Sequence, residues 1–116
     1  MQSFIKAVVL LVAAPLTAAN AYALEGRYTA PTGTQVEFCA GGDLAVDAAG
    51  LSLVETYIVD GETLTIASTA PNSPCPDTTG VYTVSESETG VSFILIEDDC
   101  DIRAADLTSG EWTRTR

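Results

Sequence analysis

The stretch LVETYIVDGETLTIAS, residues 53–68, decides the fold. Asp60-Gly61 interrupts two runs in which apolar and polar residues alternate. Alternation marks a strand with one face turned inward, because successive side chains leave a strand on opposite sides. Asp-Gly between such runs signals a hairpin, since both residues tolerate the positive φ of a two-residue turn. With Asp60 and Gly61 as the central residues, Tyr57 falls opposite Leu64 and Glu55 opposite Ile66. Tyr57, Val59, Leu64 and Ile66 then share one face; Thr56, Ile58, Thr63 and Thr65 share the other.

A second unit of this kind is GVYTVSESETGVSFILIED, residues 80–98. Residues 81–84 and 91–96 read as strands and residues 85–90 as the polar turn between them. Val91, Phe93 and Leu95 alternate onto one face. Ile94 and Ile96 load the other, which predicts cover on both sides near the strand's end. Shorter strands are predicted at residues 26–29 (stopped by Pro31), at 35–39, at 44–46 and 51–54 around the turn Asp47-Ala48-Ala49-Gly50, and at 110–116. The segment PNSPCPDTTG, residues 71–80, is the one long irregular loop, because its prolines remove backbone donors. GRYTAPTGTQVEFC and GVYTVSESETGVSFILIEDDC echo each other: both carry Gly-x-Tyr-Thr, then a glycine, a phenylalanine and a cysteine.

No segment sustains a helical pattern, and short apolar bursts divided by Gly, Pro, Asp and Ser predict an all-β chain. About eight short strands with short connections pair with their sequence neighbours. Closing them into a small antiparallel up-and-down barrel buries one face and removes both edges; a two-sheet β-sandwich is the alternative.

The first 23 residues have the parts of a secretory signal peptide. Lys6 precedes an apolar run over residues 7–16, and small residues close on Ala21-Tyr22-Ala23. A run of about 10 apolar residues is half the roughly 20 that span a bilayer as a helix. Cleavage after Ala23 is expected, with the site after Ala21 as the close alternative. Residues 24–116 then form one small barrel domain in a secreted or periplasmic protein, with no membrane insertion after cleavage.

All sixteen acids follow residue 23, where the only bases are Arg27, Arg103, Arg114 and Arg116, so the mature net charge is 4 − 16 = −12. Such a surface repels nucleic acid and anionic membranes and attracts a basic partner. The same charge also serves simple solubility.

A domain this small commonly needs a staple. Cys39, Cys75 and Cys100 imply one disulfide and one leftover thiol in an exported chain. Cys75 precedes the strand at residues 81–84 and Cys100 follows the strand at 91–96, so a hairpin of these strands brings the two together. A bridge closing about 25 residues stabilises by roughly 3 kcal/mol in the chain-entropy account. Cys39 is the expected odd thiol; a Cys39–Cys100 pair stays open.

The chain has no histidine. That removes the usual general base near pH 7, the Ser-His and Cys-His nucleophile pairs, and most transition-metal sites. No glycine-rich phosphate loop precedes a helix. No cofactor is implied and no catalytic residue is assigned. Glu97, Asp98, Asp99 and Asp101 offer hard oxygen ligands for calcium, against a plainer role as a solvated strand end in which Asp99 or Asp101 accepts from Arg103.

Gly26 and Tyr28 near the mature start, the meander of hairpins, and a last strand carrying Trp112 and Arg114 resemble a reduced lipocalin-like (calycin) barrel. In that superfamily an aromatic after a glycine on the first strand packs near an arginine of the last strand and closes the barrel's base. By resemblance Tyr28, Trp112 and Arg114 close this one. The usual aromatic is tryptophan, and this chain is shorter and shows no C-terminal helix pattern. Residues 80–112, with the run Asp98 to Arg103 around Cys100, also resemble small exported bacterial proteins of uncharacterised function. VEFCAGGDLAV, residues 36–46, resembles the Cys-x-x-Gly opening of periplasmic lysozyme inhibitors, though their serine-rich inhibitory loop has no counterpart.

The first resemblance implies a non-enzymatic binding module for a small apolar ligand, with an interior lined by Tyr57, Leu64, Ile66, Tyr82, Phe93 and Leu95. The second implies an acidic barrel that captures or inhibits a basic protein such as lysozyme. The ligand-binding module is the leading expectation; if side chains fill a barrel of about 90 residues, the outer surface is the active one and the protein-binding reading gains, and a purely structural envelope protein is the remaining alternative.

Overall fold

In the computed structural model, which describes residues 24–115, eight antiparallel strands close into a barrel in strict sequence order. The strands are β1 (Gly26–Thr29), β2 (Gln35–Phe38), β3 (Asp43–Ala48), β4 (Leu51–Asp60), β5 (Thr63–Ser68), β6 (Thr78–Glu86), β7 (Gly90–Asp98) and β8 (Trp112–Thr115), with a short helix α1 (Asp101–Leu107) between the last two. The up-and-down barrel is therefore the observed architecture, and the sandwich alternative is set aside. The segment expected to be a leader, residues 1–23, lies outside the described residues.

The β4–β5 hairpin forms with its expected inward face but a different register. Tyr57 pairs with Ile66 and Val59 with Leu64, two residues away from the sequence expectation. Gly61 takes φ +63° at the first central position and Glu62 follows. One positive φ, on glycine, fits a type II′ turn, so Asp60 joins the strand and pairs with Thr63. A slip of two residues preserves the side-chain alternation, and Leu64 and Ile66 stay buried in the interior. Residues 51–54 and the first arm of this hairpin merge into one ten-residue strand.

The β6–β7 hairpin departs further. Tyr82 pairs with Leu95 but its neighbour Val81 pairs with Glu97, so Ile96 is an extra residue, a β-bulge. A bulge reverses which residues face inward beyond it. Phe93 is buried, whereas Ile94, Leu95 and Ile96 are exposed. Leu95, which alternation assigned to the interior, is exposed although it pairs with the buried Tyr82, and the expected outer cover over Ile94 and Ile96 is absent among the described residues. Asp98 is turned inward instead, and its side chain is fully buried.

Closure takes two forms. β1 pairs with β8 through Arg27–Thr115, Tyr28–Arg114 and Thr29–Thr113. β7 meets β8 only through Gly90–Thr113 and Val91–Trp112. Above Val91 the segment containing α1 takes over. The helix packs on β7, and Asp106 accepts from Thr32 in the β1–β2 loop (2.5 Å), bridging the gap. Sequence reading found no helix here, because seven residues with Leu107 as the only buried one give no period to detect. Cys75 and Cys100 are bonded, pinning the loop before β6 to the start of α1; a bridge is compatible with an exported protein. Cys39 is free and half-buried.

The interior divides into two halves. Toward the β4–β5 turn it is solid: Tyr28, Phe38, Tyr57, Phe93 and Trp112 form a continuous aromatic chain. Successive ring centroids lie 5.8, 5.0, 6.3 and 5.9 Å apart along Tyr28–Phe38, Phe38–Tyr57, Phe38–Phe93 and Phe93–Trp112. Edge-to-face geometry predominates, the arrangement that ring quadrupoles favour. Leu24, Leu64 and Val91 complete this half.

Candidate functional site

The other half of the barrel, under α1, holds a cup. The inner faces of β2, β3 and β4 present Val36, Leu44, Val46, Leu53 and Glu55 to it. Ile66 and Trp112 lie deeper, and Ile102, Arg103, Asp106 and Leu107 of α1 form the far wall. The cavity volume is about 260 Å³. Val36, Leu44, Leu53, Ile66, Leu107 and Trp112 are buried wall residues, while Ile102 at the rim is exposed. Ala48, Ala49 and Leu51, around the β3–β4 turn, form another part of the rim. Mid-sized aliphatic residues here, against the aromatics below, explain why this half stays open.

One polar cluster adjoins the cup. Arg103 donates from Nε to Asp98 Oδ2 at 2.7 Å and from a terminal nitrogen to Asp98 Oδ1 at 2.8 Å. Such a two-pronged pair is the strongest ordinary ion-pair geometry. Further bonds from Arg103 go to Ser68 and to Thr78 Oγ1 (3.2 Å). The Ser68 hydroxyl donates a hydrogen bond to Glu55 Oε2, which lies 3.9 Å from the guanidinium. The Tyr82 hydroxyl donates to Asp98, and the Cys100 amide caps the other Asp98 oxygen at 2.8 Å. The side chains of Arg103 and Glu55 are each 9% exposed.

The electrostatics follow from burial and partners. Burial alone would raise the Asp98 carboxyl, but hydrogen bonds from Arg103, Tyr82 and the Cys100 amide outweigh it and hold it below the usual carboxylate value. Burial, reinforced by the bond to Asp98, pushes the Tyr82 hydroxyl far above the ordinary phenol value. Burial opposes the Arg103 charge, yet Asp98 and Glu55 more than offset it and raise that group.

The residues expected to line a ligand site are split by this geometry. Ile66 borders the cup. Leu64, Tyr82 and Phe93 are buried in packed interior. Tyr57 packs on Phe38, and its hydroxyl donates to the Cys39 carbonyl at 2.6 Å. Leu95 is exposed and is not among the cup's lining residues. Glu55 and Arg103, which alternation and charge pattern left unassigned, are the polar groups at the cup. The signal for Glu55 was present: it occupies an inward position of β4 by strict alternation.

At the opposite side of the barrel Arg114 lies over the Tyr28 ring, 4.9 Å from its centroid, and Trp112 donates from Nε1 to the Leu107 carbonyl at 3.2 Å. The four acids considered for calcium do not converge. Asp98 turns inward to Arg103, not Asp99 or Asp101, because the bulge reverses the strand's parity. Glu97, Asp99 and Asp101 face solvent. Among the described residues no group of three or more metal-ligating side chains is assembled.

Other hollows lie elsewhere among the described residues. One of about 610 Å³ lies against the outer side of β1–β4 and includes Arg27, Glu37 and Asp47. Arg27 and Glu37 there are largely exposed, so it lacks the enclosing wall that ligand capture requires. Another, of about 420 Å³, lies at the β4–β5 turn end beside Leu24, Val59 and Ser85. The smaller cup under α1 is the better candidate, since its walls are buried and apolar with few polar groups. No protein-family model matches the chain, and no curated protein or solved structure matches it.

Proposed function

We propose that this protein is an exported, non-enzymatic carrier or sensor of a small apolar ligand, lipocalin-like in architecture and held in the cup under α1. The observation that carries the reading is the cup itself: about 260 Å³ inside a closed barrel, walled by buried aliphatic side chains and Trp112. Pockets of this character, mostly apolar with a few placed polar groups, are the usual small-molecule sites. The closed eight-strand barrel and the Cys75–Cys100 bridge fit an exported binding barrel. The polar residues near the cup are committed to one another, with Asp98 held by Arg103 and Tyr82, which suits binding better than proton transfer.

Trp112 is the only tryptophan and lines the cup, so its fluorescence reports occupancy. Titration with a short aliphatic probe is expected to change that emission saturably. Leu53→Phe or Leu44→Phe, which fill the cup, are expected to abolish the response without unfolding the barrel. A wild-type protein that shows no saturable response, by fluorescence or calorimetry, would remove the reading.

A second reading, capture of a basic protein, is favoured by the formal charge of −11 on the whole chain. It predicts binding to lysozyme that weakens steeply as salt rises, because exposed charges are screened.

A further inference from the structure

The cup's polar cluster is not electrically balanced. Two carboxylates, Glu55 and Asp98, share one guanidinium, a formal sum of 1 − 2 = −1 in a buried region. The division between them is unequal. Asp98 receives both prongs of Arg103 as well as Tyr82 and the Cys100 amide. Glu55 receives one hydroxyl bond, from Ser68 to Oε2, and a 3.9 Å contact from Arg103 to the same oxygen. Among the described residues no donor reaches Glu55 Oε1. The side chain is about nine-tenths buried (9% exposed) and borders the cup. A buried carboxylate oxygen without a donor is costly, and an occupant that brings a donor removes that cost.

Resting on the proposal that the cup binds a small apolar ligand, we infer that the ligand is an apolar amine, with its ammonium on Glu55 Oε1 and its hydrocarbon body against Leu44, Leu53 and Ile66. An ammonium takes the cluster from −1 to zero. An alcohol supplies a donor and leaves the charge at −1. A carboxylate takes it to −2 and meets a guanidinium four of whose five N–H donors already serve Asp98, Ser68 and Thr78. The electrostatics therefore rank head groups as amine, then alcohol, then acid. The volume sets the body: about 260 Å³ holds roughly nine water-sized groups at ~30 Å³ each, the size of an eight-carbon amine.

The test uses n-octylamine, octan-1-ol and octanoate on the wild-type protein near pH 7, read by Trp112 fluorescence and by calorimetry. The amine is expected to bind roughly tenfold or more tighter than the alcohol, as a charged hydrogen bond outweighs a neutral one, and octanoate is expected to bind weakest. In Glu55→Gln the amine is expected to fall to the alcohol's affinity, while the alcohol changes little. If the alcohol or octanoate matches or exceeds the amine, the cup binds ligands and the amine inference is wrong. If none of the three binds, the cup is not a ligand site and the parent reading falls with it. The three-probe comparison needs no variant, so it decides the matter even if Glu55→Gln does not fold.

Discussion

Replacing Arg103 by methionine tests the polar cluster most sharply. Methionine keeps the length and most of the volume of the stem but removes every donor. The change deletes the two-pronged pair to Asp98, at 2.7 and 2.8 Å, and the bonds to Ser68 and Thr78. It leaves a fully buried Asp98 and a nearly buried Glu55 with no cation, so the formal cluster charge falls from −1 to −2. Breaking a buried pair by removing one partner costs about 3–5 kcal/mol, a large share of the ~5–15 kcal/mol that holds a typical domain together. The pH dependence has a definite sign. In the wild type Asp98 sits below its ordinary value, so its contribution is present above the unfolded carboxyl value of about 3.9 and is lost as pH falls through the lower folded value. In Arg103→Met the main force lowering it is gone, and burial beside Glu55 raises it. The variant's penalty is then greatest at neutral pH and is relieved as Asp98 protonates. Urea unfolding followed by Trp112 emission at pH 7 and pH 4 should show a gap of about 3–5 kcal/mol that narrows at the lower pH. A loss under about 1 kcal/mol at pH 7, or an equal gap at both pH values, would refute the claim that Arg103 balances two buried carboxylates.

Three further outcomes follow from the backbone and the bridge. Gly90 stands where β7 meets β8, and an added Cβ would overlap the Trp112 carbonyl; Gly90→Ala should destabilise by about 1–3 kcal/mol in thermal melts, as overpacking does. Ala49 adopts φ +50° in the two-residue turn beside Gly50 (φ +85°), a left-handed conformation that costs an ordinary residue roughly 1–2 kcal/mol. Ala49→Asn should therefore raise stability by up to about 1 kcal/mol, and an unchanged or lower melting temperature would count against a strained turn. Replacing Cys75 and Cys100 together by alanine opens a loop spanning 25 residues and should cost about 3 kcal/mol in chemical denaturation.

The barrel was legible in the sequence because its information is local. Alternation in residues 53–68 assigned the inward face, and the parity survived even though the turn shifted, since a slip of two residues moves no side chain across the sheet. The disulfide was legible for a similar reason: the two cysteines flank one hairpin. What alternation could not carry was the bulge at Ile96. Nothing in FILIED distinguishes a regular strand from one with an extra residue, because the extra residue is fixed by what Asp98 gains on turning inward: Arg103, Tyr82 and the Cys100 amide. The same long-range exchange hid the helix. Residues 101–107 are helical where Cys100 is bonded to Cys75 and Arg103 is drawn to Asp98, not through any periodic apolar stripe.

These features make one mechanical unit. The bulge turns Asp98 inward; Asp98 holds Arg103; Arg103 fixes α1, with the disulfide anchoring the residue just before it. The helix then spans the gap that the short β7–β8 pairing leaves, and supplies Leu107 and Ile102 to the cup. Without that helix the cup would have no far wall, and the strand pairing alone would leave the barrel open above Val91. The aromatic half of the interior needs none of this, since its rings fill the space between strands that are fully paired. A small barrel can thus afford an internal cavity only where a separate element covers it. The buried ion pair that holds this cover also places Glu55, through Ser68, at the cup with one carboxylate oxygen uncommitted. Fold fastening and the proposed amine site meet at Arg103: a substitution there is expected to weaken stability while the more negative cluster keeps its preference for an amine, whereas Glu55→Gln should remove that preference.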